Sequence, residues 1–496
     1  MNIKKIVILV FLIATLSVGS AVFMINAEGK TTIPSNPELN AVNLVIVTRH
    51  DTTLTAAFET AFLATPEAAA AGVTSIDFRS ATTDDAWKKL LEDPLKGVDL
   101  AWGGGPSLFN TMDNWGLLKH IDPVTDAALF TVVNDSVPLE LAGAGMKQFA
   151  PNGSIVWAAN AISSFGFTVN HDFLDTHALP VPTTWEELAS PIYYISPSVK
   201  AISMGDPPLT TSNTRIYQII LQAFGWDEGW SIMTRMGANS AMYPGSVATR
   251  AAVVSGEVGI AMTIDFYGII AMGENPDCEY IIPQGQSIVN GDPIAMGINV
   301  DDYAAAEAFL NFVTSADGQS VWLTPGIDRL PVNETAFHTL YGQGFPDLYT
   351  LYNETLANIG IDFNETLATA NLATTIYYFH NTITQPHSLL RNTWDAMVTQ
   401  LRDTTINLTY FNELVDDLGA TGMTKEESIE WNTQYQTSPT FAANKDAEWK
   451  SFAQTKYNTI LGLLVTPTDT NAFGMIPVFI TTIFVATMVI IRKKKK

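Results

Sequence analysis

Residues 98–109 read Val-Asp-Leu-Ala-Trp-Gly-Gly-Gly-Pro-Ser-Leu-Phe and contain a complete strand-loop-helix unit. Residues 98–101 have the length and composition of a buried strand. The loop 103–107 follows and leads directly into the N-terminus of a helix. Such units build a mostly parallel sheet that is covered by helices.

The same alternation extends toward the N-terminus. Residues 44–47 and 75–78 predict two more short strands, and residues 84–91 predict a helix. Behind Asp51 or Thr52 as a candidate helix cap, apolar residues recur at helical spacing, namely Leu54, Ala57, Phe58, Ala61 and Phe62. These blocks predict an α/β fold, in which ligands collect at the carboxyl ends of the strands.

Three later segments predict that the chain passes from one lobe to another and returns. Residues 155–169 form one long β-rich stretch, and residues 280–283 and 293–298 have the pattern of returning strands. Two crossings between lobes make a hinge, and a hinge beside a cleft can close on a ligand. From about residue 336 to 456 the pattern is mainly helical and contains no cluster of side chains that indicates a site. We expect these helices to pack against the first lobe.

Both ends of the chain are hydrophobic. Residues 1–27 combine two lysines with an apolar run and a small-residue end, which predicts a signal peptide, with an uncleaved anchor as the alternative. Residues 28–41 predict a flexible tether. Residues 472–491 carry no charge and are long enough to cross a bilayer.

The flanks of this C-terminal segment predict its orientation. The basic tail 492–496 favours the cytoplasmic side, and residues 466–471 form a short stalk before the span. The expected location is the cell surface, with the chain anchored in the cell membrane by a single C-terminal transmembrane helix.

Charge and cysteine content exclude some partners and constraints. The formal net charge is −24, with all 50 acidic residues between the hydrophobic ends, which disfavours nucleic acid as a partner. The single cysteine, Cys278, leaves no intrachain disulfide, so the fold depends on its core. Six Asn-X-Ser/Thr triplets are consistent with glycosylated exported loops; they begin at Asn134, Asn152, Asn333, Asn353, Asn364 and Asn407.

Short motifs between residues 43 and 330 give the chain a family resemblance. They are Val-Ile-Val-Thr-Arg-His-Asp (45–51), Asp-Leu-Ala-Trp-Gly-Gly-Gly-Pro-Ser-Leu-Phe (99–109), Gly-Leu-Leu (116–118), Gly-Phe-Thr-Val-Asn (166–170), Pro-Thr-Thr-Trp-Glu-Glu-Leu (182–188), Asp206-Pro207, Gly245-Ser246, Gly256-Glu257 and Asp-Pro-Ile (292–294). In their order and spacing they resemble the extracellular solute-binding proteins of ABC transporters with the type II periplasmic-binding-protein fold. The similar branch includes ferric-iron, thiamine, polyamine and phosphonate binders.

The resemblance implies a two-lobed α/β fold with a C-terminal helical extension. Lobe 1 would cover residues 42–166, lobe 2 residues 167–287, and residues 288–465 would return to lobe 1 and add the extension. The resemblance also implies a small-molecule ligand, an ABC transporter permease as partner, and no cofactor.

Four loops that lead into helix N-termini supply candidate ligand contacts. Free backbone N–H groups with hydroxyls beside them can bind carboxylate, phosphate or sulfonate, and arginines add charge-assisted bonds. The candidates in and beside these loops are Thr48, Arg49, His50, Gly104, Gly105, Thr211, Ser212, Arg215 and Ser246. Ordinary helix capping is the alternative for each loop. An organic anion is therefore one expected ligand class.

A small cation is the competing class. Four aromatic side chains could offer faces to a cation, namely Trp102, Tyr243, Phe266 and Tyr267. Negative charge could come from Asp51, Asp265 and Asp292. Core packing is the alternative for each aromatic. His50 and Tyr267 match two iron ligands that the resemblance implies, but Phe266 stands where a second tyrosine is expected. No metal is predicted, and chelated iron stays open.

Other function classes have less support. The chain has no Gly-X-Ser-X-Gly, His-Glu-X-X-His or phosphate-loop motif, so no catalytic residue and no enzyme activity are predicted. An exported hydrolase is the lesser alternative. A surface adhesion or structural protein would explain the anchor and the triplets, but such proteins more often have repeats or all-β patterning.

Overall fold

Two long strands organise the molecule, β8 (Ile155–Asn170) and β13 (Val289–Gly297). β8 is buried along all 16 residues, and its run of apolar and small residues is typical of a strand that is covered on both faces. β13 lies antiparallel beside it. β8 pairs with lobe 1 strands up to Ser164 and with a lobe 2 strand from Phe165, so both lobes share it.

The computed structural model describes residues 41–81 and 83–465, and the described residues from Val42 onward belong to one compact unit. The strands are β1 (Val42–Thr48), β2 (Val73–Ser80), β3 (Leu100–Trp102), β4 (Leu118–Lys119), β5 (Glu140–Leu141), β6 (Ala144–Gly145), β7 (Lys147–Phe149), β8 (Ile155–Asn170), β9 (Ile202–Gly205), β10 (Ser240–Tyr243), β11 (Ile260–Ile264), β12 (Cys278–Ile281), β13 (Val289–Gly297) and β14 (Leu330–Pro331).

The helices are α1 (Thr52–Leu63), α2 (Pro66–Ala70), α3 (Asp84–Glu92), α4 (Pro106–Asn114), α5 (Ala127–Ser136), α6 (His171–Thr176), α7 (Trp185–Leu188), α8 (Thr211–Phe224), α9 (Trp226–Asn239), α10 (Ser246–Val254), α11 (Asp265–Glu274), α12 (Tyr303–Thr314), α13 (Ala316–Ser320), α14 (Pro346–Ala357), α15 (Glu365–Ala370), α16 (Leu372–Phe379), α17 (His387–Arg402), α18 (Leu408–Gly419), α19 (Lys425–Thr437) and α20 (Pro439–Val465). A short π-helix, His380–Thr384, lies between α16 and α17.

Lobe 1 is built on the strand order β8-β13-β3-β1-β2. β1 runs parallel to β2 and β3, while β13 is antiparallel to β3. The predicted strands at 44–47 and 75–78 lie inside β1 and β2, and the predicted helix at 84–91 corresponds to α3. An aromatic core closes one face of this sheet; it includes Phe58, Phe62, Trp102, Phe309 and Trp322.

Lobe 2 has the strand order β8-β11-β9-β10, with β12 also paired to β8. β9 runs parallel to β10 and β11. The predicted crossings between the lobes are confirmed by β8 and β13, and with them the two-lobed α/β fold.

Gly166 allows two strands to approach closely just beyond the point where β8 changes lobes. A Cβ atom at this position would lie 2.1 Å from the carbonyl oxygen of Ile281 in β12. That distance is far inside van der Waals contact with rigid backbone, so residue 166 must be glycine for β8 and β12 to pair here.

The helical block divides between the lobes. Its first part, through α14, packs in the lobe 1 cluster as predicted, whereas α16–α20 pack on lobe 2, and for these helices the prediction is wrong. Their side chains join the lobe 2 strands and helices in one apolar cluster. The rings of Trp230 in α9 and Tyr378 in α16 lie 4.8 Å apart, and Trp394 in α17 donates to Asn239 at 2.8 Å. Burial of the apolar surface that α9 and these helices share drives the docking.

The predicted signal, stalk, transmembrane helix and basic tail, and the tether except for Ala41, lie outside the described residues. Within residues 41–81 and 83–465, none of the helices combines the length and the apolar character that a membrane span requires.

Candidate functional site

The last residue of β1, Thr48, and the loop residues Arg49 and His50 lie at the carboxyl end of this strand in the lobe 1 sheet. The Thr48 hydroxyl accepts a hydrogen bond from the His50 backbone N–H at 3.0 Å. The His50 ring lies edge-on to Trp102, with ring centroids 4.6 Å apart. A Cβ atom on Gly103, whose φ is +83°, would lie 2.6 Å from His50 Nε2, so the glycine loop leaves room for the imidazole.

The Arg329 guanidinium lies at the centre of a charged cluster beside the hinge. Its Nη1 lies 2.7 Å from Asp292 Oδ2, and its Nη2 donates to the Ser163 hydroxyl at 3.1 Å. The guanidinium carbon also lies over the rings of Phe266 and Trp322, 5.3 and 5.2 Å from their centroids. Because Phe266 belongs to lobe 2 and Asp292 to the returning strand, Arg329 ties the two lobes together.

Burial controls the protonation of His50. It lowers the pKa of the imidazole to about 4, although the neighbouring Asp292 carboxylate opposes that shift and Arg329 adds to it. His50 is therefore neutral at pH 7 and acts as a hydrogen-bonding group rather than as a cation.

We expect His50→Gln to remove part of the acid sensitivity of the protein. The imidazole titrates near 6.5 in the unfolded chain and near 4 in the folded one, so its contribution to stability is lost as the pH falls from 6.5 to 4. The shift corresponds to about 3 kcal/mol. The measurement is the free energy of unfolding in urea at pH 7, 5.5 and 4 for both proteins. Burial also lowers the pKa of His387 to about 4, but this residue is present in both proteins and its effect cancels in the comparison. A difference in unfolding free energy that stays the same at all three pH values would contradict the expectation.

The junction of β11 and α11 lies on the lobe 2 side of the hinge and contains Asp265. The Asp265 carboxylate is buried and accepts hydrogen bonds from the backbone N–H groups of Ser164 and Phe266, at 2.7 and 2.8 Å. Burial raises its pKa to about 7 even though these donors and Arg329 favour the charged form. Next to it, the Tyr267 ring packs on Phe266, with centroids 4.4 Å apart.

A cluster of hydroxyls joins the N-termini of α8 and α10. The Ser246 hydroxyl hydrogen-bonds to Thr210, which caps α8, and to Ser212 at 2.7 Å. α10 begins after Gly245, whose φ of +142° suits glycine, and no side chain caps it. The uncapped N–H groups and the hydroxyls form a surface that is suited to an anion.

Glu365 connects the two lobes at the edge of this surface. Its Oε2 accepts hydrogen bonds from the Ser107 hydroxyl, in the first turn of α4 of lobe 1, and from Arg215 Nη1 of α8 of lobe 2, the latter at 3.0 Å. Arg215 and Glu365 are both partly buried, with side chains 19% and 28% exposed. A carboxylate thus already lies between two elements that the sequence proposed as anion contacts.

The structure brings most predicted residues into two groups. Thr48, Arg49, His50, Gly104, Gly105, Asp265 and Tyr267 lie around the hinge, and Thr211, Ser212, Tyr243 and Ser246 lie at or just before the N-termini of α8 and α10. Arg215 faces lobe 1 through Glu365.

Trp102 differs from its prediction as an aromatic ligand contact. Its side chain is completely buried in the lobe 1 core, and its Nε1 donates to Asn160 at 3.1 Å. It positions His50 and offers no face to a solute.

Arg329, Ser107 and Glu365 were not predicted as site residues. No motif surrounds Arg329, and Ser107 was only part of the glycine-rich loop. Glu365 is the middle residue of the Asn364 triplet, which indicates a glycosylation acceptor and not a ligand contact. Among the residues that the structure describes, no three histidine, cysteine or acidic side chains lie close enough together to hold a metal ion.

Comparison with known proteins adds a family. A model described as "Bacterial extracellular solute-binding protein" matches residues 53–340. The phosphoglycerate transport regulatory protein PgtC of Salmonella typhimurium is 24% identical over 217 residues, which are 44% of this chain and 51% of that protein. The same protein of Salmonella typhi matches equally. The chain spans about half the length of these curated relatives.

Solved structures show the fold. The spermidine/putrescine ABC transporter substrate-binding protein PotD of Streptococcus pneumoniae has a TM-score of 0.50 at 15% identity, covering 68% of this chain and 98% of its own. An ABC transporter of Clostridium perfringens has a TM-score of 0.50 at 17% identity, covering 67% of this chain and 98% of its own.

Proposed function

The chain belongs to the bacterial extracellular solute-binding proteins, and on that premise we propose that it captures a small anionic solute between its lobes and delivers it to an ABC-type importer. The observation that carries the anion is the bridge from Ser107 through a carboxylate to Arg215. Charge-assisted bonds from an arginine and a hydroxyl are a common way of binding carboxylate or phosphate.

The surroundings of Arg215 support an anion over a cation. The hydroxyls of Thr210, Ser212 and Ser246 converge at two helix N-termini, where the positive end of the helix dipole favours negative charge. Trp102 is buried, so it cannot offer the aromatic face that the cation hypothesis requires of it. The curated relatives are named for phosphoglycerate transport, which also favours an anion.

The proposed site consists of loops that both lobes contribute. The hinge group Thr48, Arg49, His50, Gly104, Gly105, Asp265 and Tyr267 would form its floor, and Thr211, Ser212, Arg215, Tyr243 and Ser246 its lobe 2 wall. The surface location, the C-terminal membrane anchor at 472–491 and glycosylation of the exported loops remain part of the proposal, supported by the sequence.

Binding is expected to make the protein more compact. A solute shifts the lobe equilibrium only by the extra contacts that it makes in the closed state. The test purifies the chain from residue 41 to 465, identifies small molecules released on denaturation by mass spectrometry, and returns them to solute-stripped protein during solution X-ray scattering. A smaller radius of gyration with the returned solute supports the proposal, and a bound solute that leaves the radius unchanged contradicts it.

A further inference from the structure

A segment from the C-terminal extension crosses beside the hinge on its way from lobe 1 to lobe 2. We call residues 358–371, which follow α14 and include α15, the strap. At its start, the Asn358 side-chain oxygen accepts from the Gly285 N–H at 3.1 Å, and the Ile361 N–H donates to the Ser287 carbonyl at 2.9 Å. The strap is thereby fixed to the chain that returns from lobe 2 to lobe 1.

Further along, the strap runs beside α8. The Gln222 side-chain oxygen accepts a hydrogen bond from the Asn364 backbone N–H at 2.7 Å, and the Gln222 side-chain nitrogen donates to the Asn364 carbonyl at 3.1 Å. One turn earlier in α8, Gln218 donates to the Ala368 carbonyl at 2.7 Å. The Arg215 guanidinium lies over the Phe363 ring, 5.0 Å from its centroid. These contacts hold Glu365 where it meets Arg215.

We propose that Ser107 and Arg215 form the subsite for the anionic group of the solute, and that Glu365 fills this subsite when no solute is bound. The inference rests on the proposed function. Glu365 lies outside residues 53–340, the part that the family model matches, so the internal occupant belongs to the extension of this chain. A solute carboxylate or phosphate would displace Glu365 and take over its bonds to both lobes. The rest of the solute would add contacts to the hinge group, and these additional contacts would draw the lobes closer together than the Glu365 bridge does.

The chemistry of the subsite supports this exchange. An arginine fork and a hydroxyl at the start of a helix bind a carboxylate and a phosphate oxygen by the same charge-assisted bonds. Because Glu365 is tethered, it competes at an effective concentration of about millimolar order, which lowers the apparent affinity of the solute. The strap thus sets the solute concentration at which the lobes exchange their internal carboxylate for an external one.

The test compares the Glu365→Gln variant with a matched control. Glutamine keeps the shape of the side chain but loses the charge that competes for Arg215. The control is Asp362→Asn, which removes one negative charge from an exposed position in the same strap. Thermal unfolding checks that both variants are folded. The probes are inorganic phosphate and 3-phosphoglycerate as anions and putrescine as a cation, measured by calorimetry at fixed ionic strength.

Two results are expected. The Glu365→Gln variant should bind at least one of the two anions tenfold or more tightly than the unchanged protein, with putrescine unaffected and Asp362→Asn within twofold. Without solute, the same variant should have a larger radius of gyration by X-ray scattering, because the bridge between Ser107 and Arg215 is weakened.

The outcomes separate this inference from the proposed function. If the unchanged protein binds an anion and Glu365→Gln binds it no more tightly, Glu365 does not compete for the subsite. The proposal that the protein binds an anionic solute is then still supported. If neither protein binds any probe, the X-ray scattering result decides. Equal radii of gyration for Glu365→Gln and the unchanged protein without solute would refute the proposal that Glu365 holds the lobes together. If putrescine alone binds and compacts the protein, the anionic solute is wrong and this inference fails with it.

Discussion

The Arg215→Met variant is expected to bind its anionic solute about 30- to 1000-fold more weakly than the unchanged protein. Truncation of one member of a buried, hydrogen-bonded charge pair costs about 2 to 4 kcal/mol in binding free energy, and each 1.4 kcal/mol changes Kd tenfold. Arg215 donates to Glu365 at 3.0 Å, and in the proposed bound state the same guanidinium would donate to the solute. Methionine keeps much of the apolar stem but removes every donor.

Arg235→Met is the matched control for this loss. Arg235 lies on α9 of the same lobe, its side chain is also 19% exposed, and it pairs with Glu228 at 2.9 Å. It contacts no residue of the proposed site. The two variants therefore lose the same charge from similar surroundings, and only Arg215→Met should lose affinity in calorimetric titration with the solute identified by mass spectrometry. Equal affinities in the two variants would show that Arg215 does not contact the solute.

The fold could be predicted from the sequence because its signals are local. The unbroken apolar run at 155–169 indicates a strand buried on both faces, and the loop 103–107 indicates a helix start after a strand. Both features involve neighbouring residues, whose spacing is visible in the sequence. The two lobes and their crossings follow from the order of such segments.

The contacts that complete the site could not be predicted from the sequence, because they join residues far apart in the chain. Ser107 and Glu365 are 258 positions apart, and His50 and Arg329 are 279 apart. No periodicity or cap relates residues at such separations, so nothing in the sequence indicated that Glu365 or Arg329 belongs to the site. The packing of α16–α20 on lobe 2 was not predicted for a similar reason. The apolar face of an amphipathic helix indicates that the helix packs against another element, but it does not indicate which element.

Trp102 illustrates the opposite error. The residue lies in the segment 99–109, which resembles a segment of the family's cleft, and this resemblance favoured a ligand contact. Its ring instead points into the cluster with Phe58, Phe309 and Trp322. Strand position predicts which residues lie near a cleft, but the alternation of side chains decides which of them face it.

Replacing Arg329 by methionine is expected to lower the free energy of unfolding by about 3 to 5 kcal/mol, the cost of leaving one partner of a buried ion pair uncompensated. The side chains of Arg329 and Asp292 are 13% and 7% exposed, and the guanidinium also lies over the ring of Phe266 from lobe 2. Arg79→Met is the control. Arg79 pairs with Asp77 at 2.9 Å on a more exposed surface, where such a pair contributes about 1 kcal/mol or less.

The double variant Arg329→Met with Asp292→Asn tests the cause of this loss. If Arg329 mainly compensates the buried Asp292 carboxylate, removing that charge as well should recover a large part of the lost stability in urea unfolding. If the double variant is as unstable as the sum of the single variants, the guanidinium acts chiefly through its packing between Phe266 and Trp322. A loss below about 1 kcal/mol for Arg329→Met alone would show that the hinge cluster does not hold the lobes together, since the loss would match that of an exposed pair.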